Sequence, residues 1–396
     1  MANTVIFIEE IAMNSIKSVF IVIVTGIVLF ASNVQAVVNW NSAHILEAFT
    51  FPYANGQTTV GIISHRGLVS DGCPENSQCS IDATINNNIE AIELDVKQSA
   101  QGTPWLFHDQ NAGRMLYHLP LFDIFQDGNP TVGWNPDFRT MTDNQLVRSY
   151  LRDKNFSGTR FHPLSVLEAL RYIKIKAPHL LVVLDIKTPE AVFRCASIVK
   201  DLHMENQVVL KASSSFYAST PLRFEGSLAG IHFVPTIYAR DLDNISMSFT
   251  NVFCNAGVDV HHCRVEQWIK MAYEGVGASA PWIEIGNKSP DYPDPTSSFV
   301  AQAKRYRQAI GTFVPVPEYN QSQGNGAHYV RTNATCCYRL PEYLTHTRYF
   351  GNETVDRRES LELQLSSGFT NIITDDPLLA IRLTSERGMR HTERYE

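Results

Sequence analysis

The sequence predicts an α/β fold, a (β/α)8 TIM barrel with extended loops over its catalytic face. Three observations lead there. Eight short apolar runs recur along the chain, and most are continuous rather than alternating, as in strands covered on both faces of a parallel sheet. Amphipathic stretches of helical length lie between them, the alternation that closes a barrel. Charged side chains gather where several apolar runs end, which is where such a barrel builds its site.

Taken in order, the strand expectations are 60–63, 91–96, 180–186, 207–210, 231–236, 282–285, 312–316 and 371–373. Helices are expected over 77–89, 165–176, 189–202, 265–274, 298–309 and 359–366, with a last one over 378–383. Thr188-Pro189 places an N-cap before a proline whose missing N–H costs a first helical turn nothing, and Asp376-Pro377 repeats the pattern. Two stretches, 110–160 and 287–368, read as insertions that extend the loops over one end of the barrel. The 396 residues are 44% hydrophobic and 18% charged, ample apolar material for a core. A net charge of -7 gives no basic surplus for nucleic acid.

The first residues read as an address rather than as fold. Residues 19–31 are apolar but for Thr25 and Gly26, follow Lys17, and precede Val34-Gln35-Ala36, a small-x-small cleavage site. The run is shorter than the about 20 residues of a membrane span. The expectation is a signal peptide over 1–36, Met13 being an alternative start, and a single catalytic domain over 37–396 that is secreted or periplasmic. All seven cysteines follow the cut, and an oxidising compartment allows disulfides. Cys73 with Cys79 and Cys254 with Cys263 are the plausible local pairs, although spacing alone does not fix connectivity. The cysteine spacing does not suit zinc.

The chemistry lies at the strand ends. The first strand runs into Ser64-His65-Arg66. The second carries Glu93 and Asp95, two apart and so on one side of the strand. A short run after it ends in His108-Asp109, and the third strand ends in Asp185-Ile186-Lys187. Each feature alone has an ordinary explanation, a structural histidine or an ion pair. Together they place three carboxylates where burial would demand a cation, and oxygen ligands favour Mg²⁺ or Ca²⁺. Arg66 and Lys187 would offset phosphate charge, and two imidazoles can serve as acid and base near neutral pH. Lys211 and Glu284 also end strands, where either could touch a substrate, and read as satisfied barrel residues. His261-His262 reads as a surface loop between two cysteines. Six N-x-S/T sequons, the first at Asn155, matter only in a eukaryote.

His65-Arg66-Gly67, then Pro74-Glu75-Asn76-Ser77, Glu93-Leu94-Asp95-Val96 and His108-Asp109 resemble, in this order, the motifs of the glycerophosphodiester phosphodiesterase family. The stretch from Phe161 to Leu170 is similar to that family's "IPTLEEAL" helix, and Gly368 to Pro377 to its terminal "GVDGIITDxP". The resemblance implies a TIM barrel, one divalent cation, and hydrolysis of a phosphodiester to a phosphomonoester and an alcohol. It implies His65 and His108 as acid/base pair, Glu93 and Asp95 as metal ligands, and Arg66 as a phosphate contact. Where the family has the glutamate of an "ExK" strand end, this chain has Asp185 before Lys187. That strand is also similar to the "DLKT" of sphingomyelinase D-like toxins. The alternative expectation is therefore a phospholipase D-like enzyme acting on lysolipids or sphingolipids. Trp134, Phe138, Tyr292, Tyr319 and Tyr338 would then give peripheral membrane contact, or else anchor the loops.

Overall fold

In the computed structural model, eight parallel strands pair edge to edge until the last meets the first. They are β1 (Gly61–His65), β2 (Ala91–Gln98), β3 (Leu181–Ile186), β4 (Val208–Ser213), β5 (His232–Ile237), β6 (Trp282–Ile285), β7 (Ala309–Val314) and β8 (Asn371–Thr374). Closure comes from β8, whose Ile373 lies opposite Ile63 of β1, while His65 of β1 lies opposite Glu93 of β2. The structure describes residues 38–117, 135–155, 157–219, 228–237, 239–250, 253–255, 259–274, 280–286, 301, 303–314, 329–332, 335–339 and 360–396. The leader expected over 1–36 lies outside them.

Alternation along each strand sorts the side chains into two cores. Inward residues Ile63, Ala91, Leu181, Val183, Val209, Val234, Trp282, Ala309 and Ile373 fill the barrel. Outward ones such as Ile62, Ile92, Leu94, Val182, Leu184, Val208, Leu210, Ile283 and Ile372 pack beneath the helices. Burial on both faces is why the runs read as continuously apolar.

The helices follow from local signals. Ser77 caps Gln78–Asn86, and Ser165 caps Val166–Lys176, each in a reciprocal capping box. Pro189 and Pro377 open Pro189–Asp201 and Pro377–Glu386 as expected, and Gly368 at φ 94 ends Leu361–Ser367. Departures cluster where the pattern was weak. The strand expected over 312–316 begins earlier, at Ala309, which also shortens the helix expected over 298–309. His261 and His262 lie in the helix Val260–Glu274, not in a loop. Three helices, Ser42–Thr50, Asp143–Arg148 and Ala239–Ser248, carried no expectation.

The first of these helices closes the barrel's lower end. Ile45 and Phe49 join the interior cluster with Tyr395, and Phe49 meets Trp282 edge-on at 6.2 Å. Gly61 is required beneath it, because a Cβ there would come within 2.4 Å of the Phe49 ring. Asn41 N–H donates to Tyr395 O at 2.6 Å, so both ends of this body meet at the floor. Buried Glu90 accepts from Ile62 N–H at 2.7 Å and pairs with Arg390.

The stretch 110–160 builds a small core of its own on the strand that folds back along β2. Trp105, Phe107, Ala112, Met115, Leu116, Phe138, Met141, Leu146 and Leu151 bury one another. Phe138 stacks on Phe107 at 4.3 Å, which makes it a loop anchor; Trp134, Tyr292 and Tyr319 lie outside the described residues. Disulfides join Cys73 to Cys79 and Cys254 to Cys263, and Cys195 is a buried thiol. Among the described residues no helix is long and apolar enough to cross a membrane.

Truncating the floor should be costly. Phe49→Ala is expected to lower the unfolding free energy by about 3–5 kcal/mol, measured by chemical denaturation, because the barrel interior above it is rigid.

Candidate active site

The interior changes character at its upper end. Above Ala91 the inward positions of β2 are Glu93 and Asp95, above Val183 comes Asp185, above Val209 comes Lys211, and above Trp282 comes Glu284. Asp95 lies opposite Asp185, and Asp185 opposite Lys211, across the ladder. The apolar layers thus end in one charged layer, with all five of these groups buried.

Lysines thread the carboxylates. Lys211 Nζ lies 3.3 Å from Glu93, 3.3 Å from Asp185 and 3.2 Å from Glu284. Lys187 Nζ lies 2.8 Å from Asp95 and 2.7 Å from Asp185. Lys211 and Glu284 pair with one another, and Lys211 also reaches the two site carboxylates. Burial pushes the Glu93 carboxyl up to about 7, with Asp95 adding to the rise and Lys211 opposing it. For Asp95, burial is outweighed by Lys187, His108 and Arg66, which hold it well below its ordinary range. Asp95 is thus well supplied with positive charge, whereas the buried Glu93 is not.

The loop after β1 explains the letters of its motif. His65 Nδ1 lies 2.5 Å from Asp375 Oδ1, its ring rests on Phe313 at 4.5 Å, and Nε2 faces Glu93 Oε2 at 3.9 Å. Arg66 takes a left-handed φ of 57°, and its backbone N–H donates to Glu93 at 3.3 Å. Its guanidinium lies 3.0 Å from Asp95 and 3.1 Å from Glu75. Gly67, at φ 79, is followed so closely by the next helix that a Cβ would fall 2.6 Å from Ser80 Oγ and 2.8 Å from its carbonyl carbon. Asn76, at φ 52, donates to Asp95 Oδ2 and accepts from Asp95 N–H, both at 3.0 Å. Ser77 then caps the helix. Left-handed non-glycine residues on either side of one carboxylate pair are strain held by their partners.

His108 sits across from this loop. Its Nδ1 lies 2.9 Å from Asp109 Oδ1, and Asp109 is gripped by Arg114. Burial lowers the His108 pKa, Arg66 and Lys187 add to the fall, and Asp95 and Asp109 oppose it.

His65, Glu93 and Asp95 each offer a ligand atom within 4.8 Å of the others, a donor set of one imidazole and two carboxylates. Glu93 Oε1 and Asp95 Oδ1 are buried and receive no well-directed hydrogen bond. These residues fit a divalent cation. Asp185 falls outside this cluster, its Oδ2 turned to Lys187 and Lys211. Reasoning from the sequence did not assign Glu75, Asn76, Arg114 or Asp375 a role. Glu75, Asn76 and Asp375 stand inside the quoted motifs, whose order was the available signal.

Residues 65–228 match the model of the Glycerophosphoryl diester phosphodiesterase family. The match covers all seven residues expected at the site. No curated protein matches the chain. Among solved structures, a glycerophosphoryl diester phosphodiesterase from Parabacteroides distasonis superposes with a TM-score of 0.53 at 14% identity, covering 88% of this chain and 92% of that one. A protein from Silicibacter pomeroyi assigned the same activity gives 0.54 at 15%, covering 88% and 99%. At such identities these likenesses speak to the fold, a TIM barrel.

Gly67→Ala tests the cramped turn. It is expected to cut kcat while leaving the far-ultraviolet circular dichroism unchanged, at a stability cost of roughly 1–3 kcal/mol.

Proposed function

We propose that the protein is a metal-dependent hydrolase of glycerophosphodiesters, releasing glycerol phosphate and an alcohol, with His65 and His108 as its acid/base pair. The observation that carries this is a pair of imidazoles beside one buried carboxylate pair, His65 facing Glu93 and His108 acting electrostatically on Asp95, each held at Nδ1 by its own aspartate. The family match over 65–228 supports the reaction class and sets the phospholipase D-like alternative aside.

Glu93 and Asp95 would hold one Mg²⁺ or Ca²⁺, and Asp185 would join them as third carboxylate on release from Lys187 and Lys211. When bound, the ion neutralises charge on the phosphate's non-bridging oxygens. Arg66 and Lys187 face the same oxygens. A neutral His108 takes the proton from the nucleophile, either water or the substrate's own neighbouring hydroxyl, the latter giving a cyclic phosphate that a water then opens to glycerol phosphate. His65, kept in its orientation by Asp375, gives a proton to the departing oxygen. The P–O bond to the alcohol breaks as the new one forms. An exported chain cut after Ala36, with residues 37–396 as the catalytic domain, belongs to the same reading, and the two disulfides suit it.

Purified protein lacking residues 1–36, incubated with glycerophosphocholine, lysophosphatidylcholine and sphingomyelin, is expected to release choline or glycerol phosphate from the first. EDTA should abolish turnover, and added Mg²⁺ or Ca²⁺ should restore it. Turnover unaffected by EDTA would remove the cation from the proposal. His65→Ala and His108→Ala should each lower kcat by ~10²–10⁴-fold; near-normal rates in both would end the acid/base assignment.

The pH profile has a definite sign. A base must be unprotonated, and the His108 pKa lies below the ordinary 6.5. Activity should therefore hold at neutral pH and fall only as pH drops below that value, giving an acid limb in kcat that Asp109→Asn moves further down.

A further inference from the structure

Arg114 belongs to the stretch that packs beside the barrel, not to a barrel strand, yet its guanidinium is wedged between two carboxylates at the edge of the site. Nε and Nη2 lie 2.5 and 2.9 Å from the two oxygens of Asp109. Nη2 and Nη1 lie 2.7 and 3.3 Å from the two oxygens of Glu75. Both pairs are bidentate, the geometry that a planar fork makes and an ammonium cannot. The backbone beneath it is fixed. Ala112, Met115 and Leu116 are buried in the satellite core, and Gly113 N–H donates to Asn135 Oδ1 at 2.9 Å.

What this fork holds matters because His108 is the looser of the two histidines. Its side chain is 38% exposed, against 11% for His65. Packing does not set its ring, so the bond from Nδ1 to Asp109 must. Asp109 is the next residue on the same loop and needs an anchor of its own. We propose that Arg114 is a positioning residue for His108, acting through Asp109: it fixes the carboxylate that holds Nδ1 and so aims Nε2 at the substrate. Glu75 also grips Arg66, so the same guanidinium couples the His108 loop to the loop after β1. The inference rests on the reading of His108 as an acid/base group.

The charged groups facing His108 are Asp109, Arg66, Asp95 and Lys187. Those facing Asp109 are Arg114, His108, Glu75 and Lys97. Without the Arg114 fork Asp109 is no longer held on Nδ1, so His108 loses the carboxylate that favours its imidazolium and the acid limb moves to lower pH, as it does in Asp109→Asn.

The test uses the mature chain with glycerophosphocholine as probe, comparing Arg114→Met, Arg114→Lys, Asp109→Asn and the Arg114→Met/Asp109→Asn pair. Arg114→Met should lower kcat by at least ~10-fold with KM within ~3-fold, and its acid limb should move to lower pH, the direction Asp109→Asn takes. Arg114→Lys should keep the limb near its original place while recovering only part of kcat. The double variant should be no slower than the slower single one, because both changes break one chain of contacts. A purely structural role would lower the melting temperature and leave the limb where it was. An unmoved limb with unchanged kcat in folded Arg114→Met, or losses that multiply in the double variant, would overturn the inference. If Arg114→Met does not fold, Arg114→Lys against Asp109→Asn makes the same comparison. His108→Ala separates the two levels. Retained turnover there removes the functional reading itself, whereas collapse there beside an indifferent Arg114→Met removes only the positioning role.

Discussion

Two acidic side chains on a strand buried on both faces set the terms for the rest of the upper barrel. Glu93 and Asp95 are fully enclosed. Charges in such a place persist only when counter-charge and hydrogen bonds are supplied around them. Every nearby feature answers that demand. Lys211 and Lys187 come from the neighbouring strand ends, Arg66 from the turn after β1, and Asn76 clasps Asp95 with both ends of its amide. The left-handed backbone at Arg66 and Asn76 is the conformational cost of aiming those groups downward. A divalent cation would complete the same balance.

Much of the fold was readable because two-sided burial leaves a mark in one dimension. A strand that meets helices outside and other strands inside must be apolar at every position, and the eight runs showed it. Two helix starts were equally plain, since Thr188-Pro189 and Asp376-Pro377 signal at close range, although only Asp376 of the two caps with its side chain. The site was readable as far as it sits on strand ends: His65, Glu93, Asp95 and Asp185 could be named from their position after apolar runs.

What escaped were contacts between distant parts of the chain. Asp375 reaches His65 across 310 residues, and the motif that contains it says nothing of which residue it meets. Arg114 lay in a stretch taken as a mere loop extension, because its satellite core is too small and irregular to show periodicity. Helix Ser42–Thr50 was missed for a related reason. Its apolar residues serve the barrel's interior from below, and nothing next to it in sequence shows that floor. His261 and His262 were misplaced because a pair of cysteines suggests a loop, whereas the Cys254–Cys263 bridge ties a helix to the segment before it.

The joining of Asn41 to Tyr395, and of Glu90 to Arg390, has a consequence for how the molecule is made. The underside cannot be sealed until the last few residues have left the ribosome. Until then β1 lacks its neighbour β8, and Phe49 has no Tyr395 to lean on. Contacts spanning almost the whole length form slowly, since the largest loop must close first. The nascent protein therefore waits with an open apolar tube for most of its synthesis, a period in which chaperones have the better claim on it.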